Sequence, residues 1–396
     1  MLRVLCIDGE GGWGGSSRSL AKSLSYVDRA AVSPEVWCRR EGPILDTYAQ
    51  LGVPCRVMPD IPAIGAVSRP SRNIASEVIA RAKWLGAASF RRQLISRAAD
   101  VDVVHFNLET QWWLAKWLRR RHAHAQTMHV RSLLPDNVFA RRQDRAAAAV
   151  IDRFAFITEN ERRQFEHFAG RALNGQVIFN IADAPAGDVE PHPDIPQDGR
   201  LRVAILSNFA WLRGIDRLVD VADALARREG RGNVLFVIAG SLKLQSDVEG
   251  PLRNIRAKGG DFADYVRQRG FADMFVFLGH VSRPESVLVA CDILVKPTRE
   301  SNPWGRDILE ALACGKPVMS VGTYDRFVED GVTGFLTPEF DAGRWAVDLL
   351  ALDRDRALGR RLGDQGAKRV AALCNGPARA ADLVALWRDA VASRRH

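Results

Sequence analysis

A double alternation of short apolar runs with longer amphipathic stretches constrains the fold of this chain more than any other feature. In the first half, Val101 to Phe106 is followed by Trp112 to Leu118; in the second, Val234 to Ala239 is followed later by Val276 to Leu278. Helical spacing is clearest in Gly214 to Arg227, where apolar residues fall on one face. Short apolar runs that alternate with helices are typical of parallel strands. We therefore predict an α/β fold with parallel sheets.

A polar, proline-rich segment separates the two alternations. It runs from Ala182 to Gly199 and is followed by a new apolar strand, Leu201 to Leu206. A chain of 396 residues also exceeds what one hydrophobic core usually organises. We therefore predict two Rossmann-like lobes that face each other across a cleft, residues 1–180 and 181–376.

Composition indicates a globular protein that binds anions, without choosing among them. Hydrophobic residues make up 47% and charged residues 26% of the chain, and the net charge is +9. Phosphorylated small molecules, anionic lipid and nucleic acid all fit this charge. The six scattered cysteines are typical of reduced thiols, and no apolar run reaches the roughly 18 residues of a membrane span. We expect a cytoplasmic protein whose membrane contact, at the inner face of the cytoplasmic membrane, is peripheral.

A glycine-dense turn follows the first predicted strand, Leu2 to Ile7. Gly9, Gly11 and Gly14 match the spacing of a dinucleotide-binding loop. The acid expected about 20 residues later is not evident, because the next strand ends in two arginines. The turn is therefore open to two interpretations: a loop that brings backbone amides to a phosphate or sugar, or a tight strand-to-helix connection.

The segment most indicative of chemistry lies between Ile293 and Leu336 and reads ILVKPTRESNPWGRDILEALACGKPVMSVGTYDRFVEDGVTGFL. We predict a strand ending at Val295, a loop rich in proline and glycine, and a helix that begins near Gly305. Amides at the start of such a helix suit a nucleoside diphosphate, and Glu310 can accept hydrogen bonds from ribose hydroxyls.

This segment resembles the donor-binding signature of the retaining GT-B glycosyltransferases of family 4. Trp304 and Gly305 match the aromatic-glycine element, Glu310 matches the second glutamate, and the tail ends in Pro317 and Val318. Asn302 stands where the family has its first, sugar-contacting glutamate. The resemblance implies that the donor is bound by Gly14, Gly15, Asn302, Pro303, Trp304, Gly305, Arg306, Asp307 and Glu310.

The phosphate cations of the family are only partly present. Arg213 occupies the lysine position of the family's Lys-Gly segment and is expected to hold the diphosphate. Five residues earlier the family usually has arginine, whereas this chain has Asn208. Arg306 and Lys296 are the candidate substitutes.

Three residues at strand ends in the first half are candidates for acceptor contact: two histidines that resemble family histidines, and an arginine at the same strand end that could contact the acceptor or the diphosphate. They are His105, His129 and Arg131, and of the two histidines His129 is the better candidate for contact near the transferred sugar. Burial with backbone hydrogen bonds is the alternative for each histidine, and a surface salt bridge is the alternative for Arg131.

The resemblance implies a GT-B fold with an acceptor lobe, a donor lobe and a last helix, Pro377 to Arg394, packed on the first lobe. It implies that a sugar passes from a nucleoside-diphosphate donor to a saccharide or lipid-linked acceptor with retention of configuration. No metal or other cofactor is expected, and Arg213, His129 and Glu310 are the predicted catalytic residues. Family analogy places this activity in surface polysaccharide, exopolysaccharide or glycolipid synthesis.

Other partners and functions remain open at this level. Arg81 to Arg97 and Trp112 to Arg121 mix aromatic residues with cations, as do helices that lie on anionic bilayers and helices that cover a sheet. Nucleic acid is not expected, because no binding module is recognisable. An NAD-dependent oxidoreductase using the Gly9 loop is one alternative function. A sugar-nucleotide-binding protein without activity is the other, because of Asn302 and Asn208.

Overall fold

A computed structural model describes residues 1–394 except 10, 13, 63–81 and 230. It divides into two compact units, which we call unit 1 (Met1–Ile181 with Cys374–His396) and unit 2 (Ala182–Leu373). The division after Ile181 lies one residue beyond the boundary placed from the sequence.

Unit 1 is built on a seven-stranded parallel sheet with the order β3-β2-β1-β4-β5-β6-β7. The order of the strands reverses between β1 and β4, which pair directly and in parallel. The strands are β1 (Leu2–Asp8), β2 (Val32–Cys38), β3 (Cys55–Val57), β4 (Val103–Phe106), β5 (Ala125–Val130), β6 (Arg153–Phe156) and β7 (Gly175–Val177). The described helices before the linker are α1 (Gly15–Ser25), α2 (Ile44–Gln50), α3 (Ala88–Ala99), α4 (Trp112–Arg119), α5 (Val138–Ala148) and α6 (Glu159–Ala169).

Unit 2 repeats the architecture with a six-stranded parallel sheet, ordered β10-β9-β8-β11-β12-β13. Its strands are β8 (Leu201–Leu206), β9 (Val234–Ala239), β10 (Phe275–Gly279), β11 (Ile293–Lys296), β12 (Val318–Val321) and β13 (Gly334–Thr337). Its helices are α7 (Arg217–Glu229), α8 (Pro251–Ala257), α9 (Phe262–Gln268), α10 (Pro284–Ala290), α11 (Arg306–Ala313), α12 (Ala342–Arg354) and α13 (Arg356–Leu373). The predicted α/β class with parallel sheets is confirmed in both units.

The last helix, α14 (Gly376–Ala392), belongs to unit 1 and covers the sheet at β5 and β6. Its apolar face includes Leu383, Leu386 and Trp387, all buried with residues of β1, β2 and β4 in one core cluster. Proline at the first turn and an Asn375 cap on the Ala378 amide define its start.

The helix expected over Gly214 to Arg227 begins later than its apolar pattern predicted. A short 3₁₀ turn, Trp211–Arg213, comes first, and Gly214 then adopts the left-handed conformation with φ 70°. A left-handed residue interrupts helical hydrogen bonding, so α7 starts only at Arg217. The buried face of α7 still uses Leu218, Val219 and Leu225, as the pattern required.

The aromatic residues of the two basic stretches contribute to packing in unit 1. Trp84 and Trp112 are buried in its core, and Trp117 lies edge-on to Trp84 at 5.1 Å between ring centroids. Arg121 stacks on the outer face of Trp117. No helix in the described part of the chain is both long and apolar enough to cross a bilayer. Residue 81 of the first basic stretch lies outside the described residues.

Candidate functional site

The loop after β11 and the start of α11 form the centre of the candidate site in unit 2. β11 pairs with β8, and the strand order reverses direction between these two strands. Ligands of doubly wound α/β sheets bind outside the carboxyl ends of strands at such a switch point. The N-cap of α11 is Gly305, whose φ of 124° favours glycine and which is not capped by a side chain. The amides that open α11 are thus oriented for an anion.

A second loop, from Ser207 to Asp216, is fastened to the first by Arg299. The Arg299 guanidinium makes two hydrogen bonds to the Asp216 carboxylate at 2.7 and 2.8 Å and one to the Trp211 carbonyl oxygen at 2.7 Å. The same guanidinium stacks on the Trp211 ring at 3.6 Å. The backbone amide of Arg299 also donates to the Leu212 carbonyl oxygen. The two loops therefore form one rigid surface.

Gly214 makes the closest approach between these loops. A Cβ atom there would lie 1.9 Å from the Pro297 carbonyl oxygen, so only glycine fits. Arg217 closes the contact by donating to the carbonyl oxygens of Pro297 and Thr298 at 3.1 and 2.9 Å. This packing holds Arg213, which is exposed, beside the loop after β11.

Breaking the Arg299 contacts provides a test of this rigidity. We expect Arg299→Ala to lower the free energy of unfolding by about 2 kcal/mol, because Arg299 and Asp216 are largely buried and Asp216 would lose its partner. Denaturant unfolding followed by circular dichroism measures the change. Arg227→Ala is the matched control, since Arg227 pairs with Asp223 at 2.6 Å on the exposed side of α7, is itself mostly exposed, and is expected to contribute below about 0.5 kcal/mol. Equal losses in the two variants would contradict the clamp.

Lys296, at the end of β11, is buried under the first turn of α11. Its Nζ donates to the Trp304 carbonyl oxygen and lies 3.5 Å from the Asp307 carboxylate. Burial lowers the pKa of Lys296, Asp307 raises it in part, and Arg213 lowers it further. A buried ammonium group therefore stands next to the anion-facing end of the helix.

Asn302 is held by a small hydrogen-bond network within the loop. Its side-chain oxygen accepts from the Thr298 hydroxyl at 2.9 Å, and its nitrogen donates to the Glu300 carboxylate at 3.3 Å. Ser301 between them has a positive φ of 49°, which is unusual for a residue with a side chain. Glu300, two positions before Asn302 in sequence, is thus placed beside it. Asn302 itself stands where the family that the segment resembles has a glutamate.

Arg306 and Glu310 are paired along the first turns of α11. The guanidinium donates to the Glu310 carboxylate at 2.8 and 3.1 Å, and both side chains are largely buried. The pair fixes the direction of the carboxylate predicted to contact ribose. It also directs the Arg306 charge to an acid rather than to the helix start.

Pro303 and Trp304 anchor the loop to the rest of unit 2. Trp304 is buried and lies edge-on to Tyr324 at 5.2 Å between ring centroids. Gly322 has a φ of 139°, and a Cβ atom there would lie 2.6 Å from the Pro303 ring. A side chain at position 322 would therefore displace Pro303, so the loop requires glycine there.

In unit 1 the glycine-dense turn has two different parts. Gly11 packs backbone to backbone on the segment after β2, where a Cβ atom would lie 2.0 Å from the Arg40 carbonyl oxygen. Gly14, by contrast, would place a Cβ atom at least 4 Å from every described neighbour. It is the N-cap of α1, whose first residue is Gly15. Packing therefore explains Gly11, whereas Gly14 leaves open space at the start of α1.

His105 and His129 form a buried pair on neighbouring strands. His105 Nδ1 hydrogen-bonds the Thr127 hydroxyl at 2.8 Å, and its Nε2 hydrogen-bonds His129 Nδ1 at 3.1 Å. Burial, with help from Arg131, lowers the pKa of His105 to about 3 and that of His129 well below its usual value. His105 is fully buried and also packs on Trp387, so direct contact of His105 with an acceptor is not supported. Its contacts instead orient His129.

Arg131 is the centre of a polar network at the same edge of the sheet. Its guanidinium donates to the Asn107 backbone and side-chain oxygens at 2.8 to 3.2 Å and to the Asn180 side chain at 3.0 Å. Asn107 in turn contacts Asp8, which is buried and also accepts from the Tyr48 hydroxyl. Arg131 thus joins the ends of β1, β4 and β5.

Two buried acids lie beside this network. Glu109 accepts from the Arg131 backbone amide at 3.0 Å, and burial raises its pKa. Asp144, in α5, is also buried, and burial together with the Glu109 charge raises its pKa to about 8. A protonated Asp144 beside Glu109 is therefore the favoured state near neutral pH.

The raised pKa of Asp144 predicts a pH dependence of stability. Unfolding lets this carboxyl ionise above its ordinary pKa, whereas the folded protein keeps it protonated up to about pH 8. The contribution of protonated Asp144 to the free energy of unfolding is therefore complete below about pH 4 and is lost as the pH rises towards 8. We expect the free energy of unfolding of Asp144→Asn to fall less over this interval than that of the wild type, as measured by denaturant unfolding at several pH values. Parallel curves would contradict the assignment.

The structure thus brings together most predicted donor residues in unit 2 and most predicted acceptor residues in unit 1. Sequence reasoning missed Asp216, Arg217 and Arg299, because no spacing links residues about 80 positions apart. No cluster of three histidine, cysteine or acidic side chains suited to a metal ion occurs within the described residues.

Solved structures with the same architecture define the fold class. Anabaena HepE in complex with UDP and glucose superposes with a TM-score of 0.74 at 18% identity, over 97% of this chain and 99% of that one. Sucrose-phosphate synthase from Thermosynechococcus elongatus gives 0.72 at 19% identity, over 99% and 100%. The protein has the GT-B fold.

Sequence comparison identifies the domain that unit 2 carries. Residues 200–355 match the family model for glycosyl transferases group 1. Alpha-D-kanosaminyltransferase of Streptomyces kanamyceticus is 27% identical over 330 residues, 81% of this chain and 79% of that protein. D-inositol 3-phosphate glycosyltransferase of Mycolicibacterium smegmatis is 37% identical over 168 residues, 41% of this chain and 35% of that protein. Fold and domain together support a glycosyltransferase of the GT-B class.

Proposed function

We propose that this protein transfers a sugar, with retention of configuration, from a nucleoside-diphosphate sugar to an acceptor hydroxyl, as family 4 enzymes do. The observation that carries the proposal is the surface of unit 2 where Arg213, Lys296 and the start of α11 adjoin one another. The group 1 domain match covers this surface. One structural neighbour, Anabaena HepE, has been solved with UDP and with UDP-glucose bound, which makes a UDP-sugar the first donor to test.

The proposed mechanism relies on stabilising the leaving group. As the bond between sugar and diphosphate breaks, negative charge grows on the phosphate oxygens, and Arg213 with the amides opening α11 receives it. The acceptor oxygen forms the new bond to the anomeric carbon on the face that the diphosphate leaves, and the proton of the acceptor hydroxyl passes to the departing diphosphate. Glu310, oriented by Arg306, binds the ribose hydroxyls. Cationic groups of the chain hold the diphosphate in this scheme, and no metal is needed for it.

We propose that unit 1 binds the acceptor. His129 is kept neutral by burial and Arg131, so its imidazole can exchange hydrogen bonds with a sugar hydroxyl without carrying charge. Gly14 and Gly15 provide helix amides for the donor phosphates. The name of one relative makes an inositol phosphate one acceptor to test. A saccharide or lipid-linked acceptor fits the family analogy with bacterial glycolipid or polysaccharide synthesis. A lipid-linked acceptor would bring the enzyme to the inner face of the membrane.

The decisive experiment is calorimetric titration with UDP-, GDP-, ADP- and dTDP-sugars and with NAD. We expect one sugar nucleotide to bind and NAD not to bind. Binding of NAD alone would favour the oxidoreductase. Donor binding without hydrolysis or transfer to any acceptor pool would favour a binding protein without activity.

Retention has its own measurement. Proton NMR of the first product formed shows the configuration of the new glycosidic bond through the coupling of the anomeric proton. The same configuration as in the donor is expected, and an inverted bond would exclude the family 4 mechanism.

A further inference from the structure

Lys296 is a buried cation whose position the packing of β11 does not explain. Its side chain is 7% exposed, although burial of an ammonium group is unfavourable unless it is paired. The partners of its amine among the described residues, the Trp304 carbonyl oxygen and the Asp307 carboxylate, belong to the loop before α11 and to its first turn. The charge of Lys296 is therefore retained at that end of the helix.

The Lys296 amine lies directly beneath the N-cap of α11. A Cβ atom on Gly305 would be 3.0 Å from Nζ, so the amine and the cap residue are in contact. Helix starts carry partial positive charge, and a whole charge within the same turn strengthens their attraction for anions. Arg213 is close enough to lower the pKa of Lys296. Lys296, Arg213 and the helix start thus lie together, and the Asp307 carboxylate, 2.9 Å from the same Cβ position, offsets part of their charge.

The other residues that could supply this charge are used differently. Arg306 donates to Glu310 at 2.8 Å. Asn208, at the family's arginine position, accepts from the Ser241 backbone amide at 2.8 Å and carries no charge. Of the two substitutes that the sequence offered, Lys296 is the one directed to the start of α11.

We propose that Lys296 is a positioning residue for the nucleoside diphosphate, replacing the cation lost at Asn208. Its ammonium group holds the Trp304 carbonyl and Asp307 in place and adds to the positive potential at the start of α11. This inference rests on the proposed function, because it requires a diphosphate to bind there.

The test compares UDP with uridine, which lacks the phosphates, by calorimetry on full-length protein. We expect Lys296→Met to weaken UDP binding at least about tenfold and to leave uridine binding unchanged. Lys316→Met is the matched control. Lys316 is also a largely buried amine, donates to the Val289 carbonyl oxygen at 3.4 Å, and follows the opposite end of α11. The Lys316→Met variant should bind UDP with the affinity of the wild type.

A pH profile separates charge from structure. Burial lowers the pKa of Lys296; of the charged groups that face it, Asp307 and Glu300 raise this pKa and Arg213 lowers it. Lys296 is charged below this pKa, so wild-type affinity for UDP should fall as the pH rises through a value below the ordinary 10.5. The Lys296→Met variant should not show this fall, and titration of the nucleotide itself cancels in the comparison.

A second variant keeps the amine in case Lys296→Met does not fold. Asp307→Asn removes the acid that raises the pKa of Lys296, so the fall in UDP affinity should shift to lower pH. An unshifted profile, unchanged UDP binding in Lys296→Met, or equal loss of UDP and uridine would each overturn the inference. Wild-type protein that binds none of UDP, GDP, ADP and dTDP would instead contradict the proposed function, and this inference with it.

Discussion

Replacing Arg213 with alanine is expected to lower kcat/KM for sugar transfer by about 100-fold or more, with most of the loss in kcat. Groups that stabilise charge developing on a leaving group typically contribute this much when the site is preorganised. Preorganisation here comes from Gly214 against the Pro297 carbonyl and from the Arg299 contacts to Trp211 and Asp216. Steady-state kinetics with the donor found by titration measures the effect.

The control for Arg213→Ala is Arg256→Ala. Arg256 is an exposed arginine of the same unit, on α8, and removing it changes the net charge equally. Its variant should retain wild-type kinetics. Similar kinetics for Arg213→Ala and the wild type would remove Arg213 from the mechanism.

Truncating Trp387 to alanine is expected to destabilise unit 1 by about 3 to 5 kcal/mol. The Trp387 side chain projects from α14 and is fully buried against the sheet. The centroid of its ring lies 5.6 Å from that of the His105 ring. The cavity would remove contacts from the apolar core and from the histidine pair together. Denaturant unfolding with tryptophan fluorescence and circular dichroism follows the transition of this unit.

Arg388→Ala is the matched control for the Trp387 variant, because the next side chain along α14 is exposed. A change below about 0.5 kcal/mol is expected there. Losses of similar size in both variants would show that α14 contributes little through its buried face.

The fold was predictable because periodicity reports burial. Val234–Ala239 is apolar throughout and Leu201–Leu206 is apolar except for Arg202, as expected of a parallel sheet covered on both faces, and the bounds of both strands were predicted correctly. The start of α7 was predicted wrongly, since an apolar face continues through Gly214 although the backbone there is left-handed. Periodicity does not detect a glycine whose conformation is set by a carbonyl 83 positions later.

The candidate site was only partly predictable, for a related reason. Motif spacing predicted Glu310 and Gly305 as site residues, because the two lie close together in sequence. The pairing of Arg306 with Glu310 follows from helical spacing, but the burial of Lys296 and the bond between Asn302 and Glu300 depend on how the loop folds. Long-range pairs such as Arg299 with Asp216 depend on the sheet order, which brings β8 beside β11.

The chain enters unit 2 at Ala182 and leaves it at Leu373, so unit 1 is discontinuous in sequence. During synthesis, the sheet of unit 1 is made before unit 2, yet the helix that covers β5 and β6 is translated only after all of unit 2. Until α14 emerges, the apolar face that receives Leu383, Leu386 and Trp387 has no cover, whereas every strand and helix of unit 2 is already available. A ribosome that stops shortly before residue 376 therefore releases a complete second unit joined to an incomplete first one.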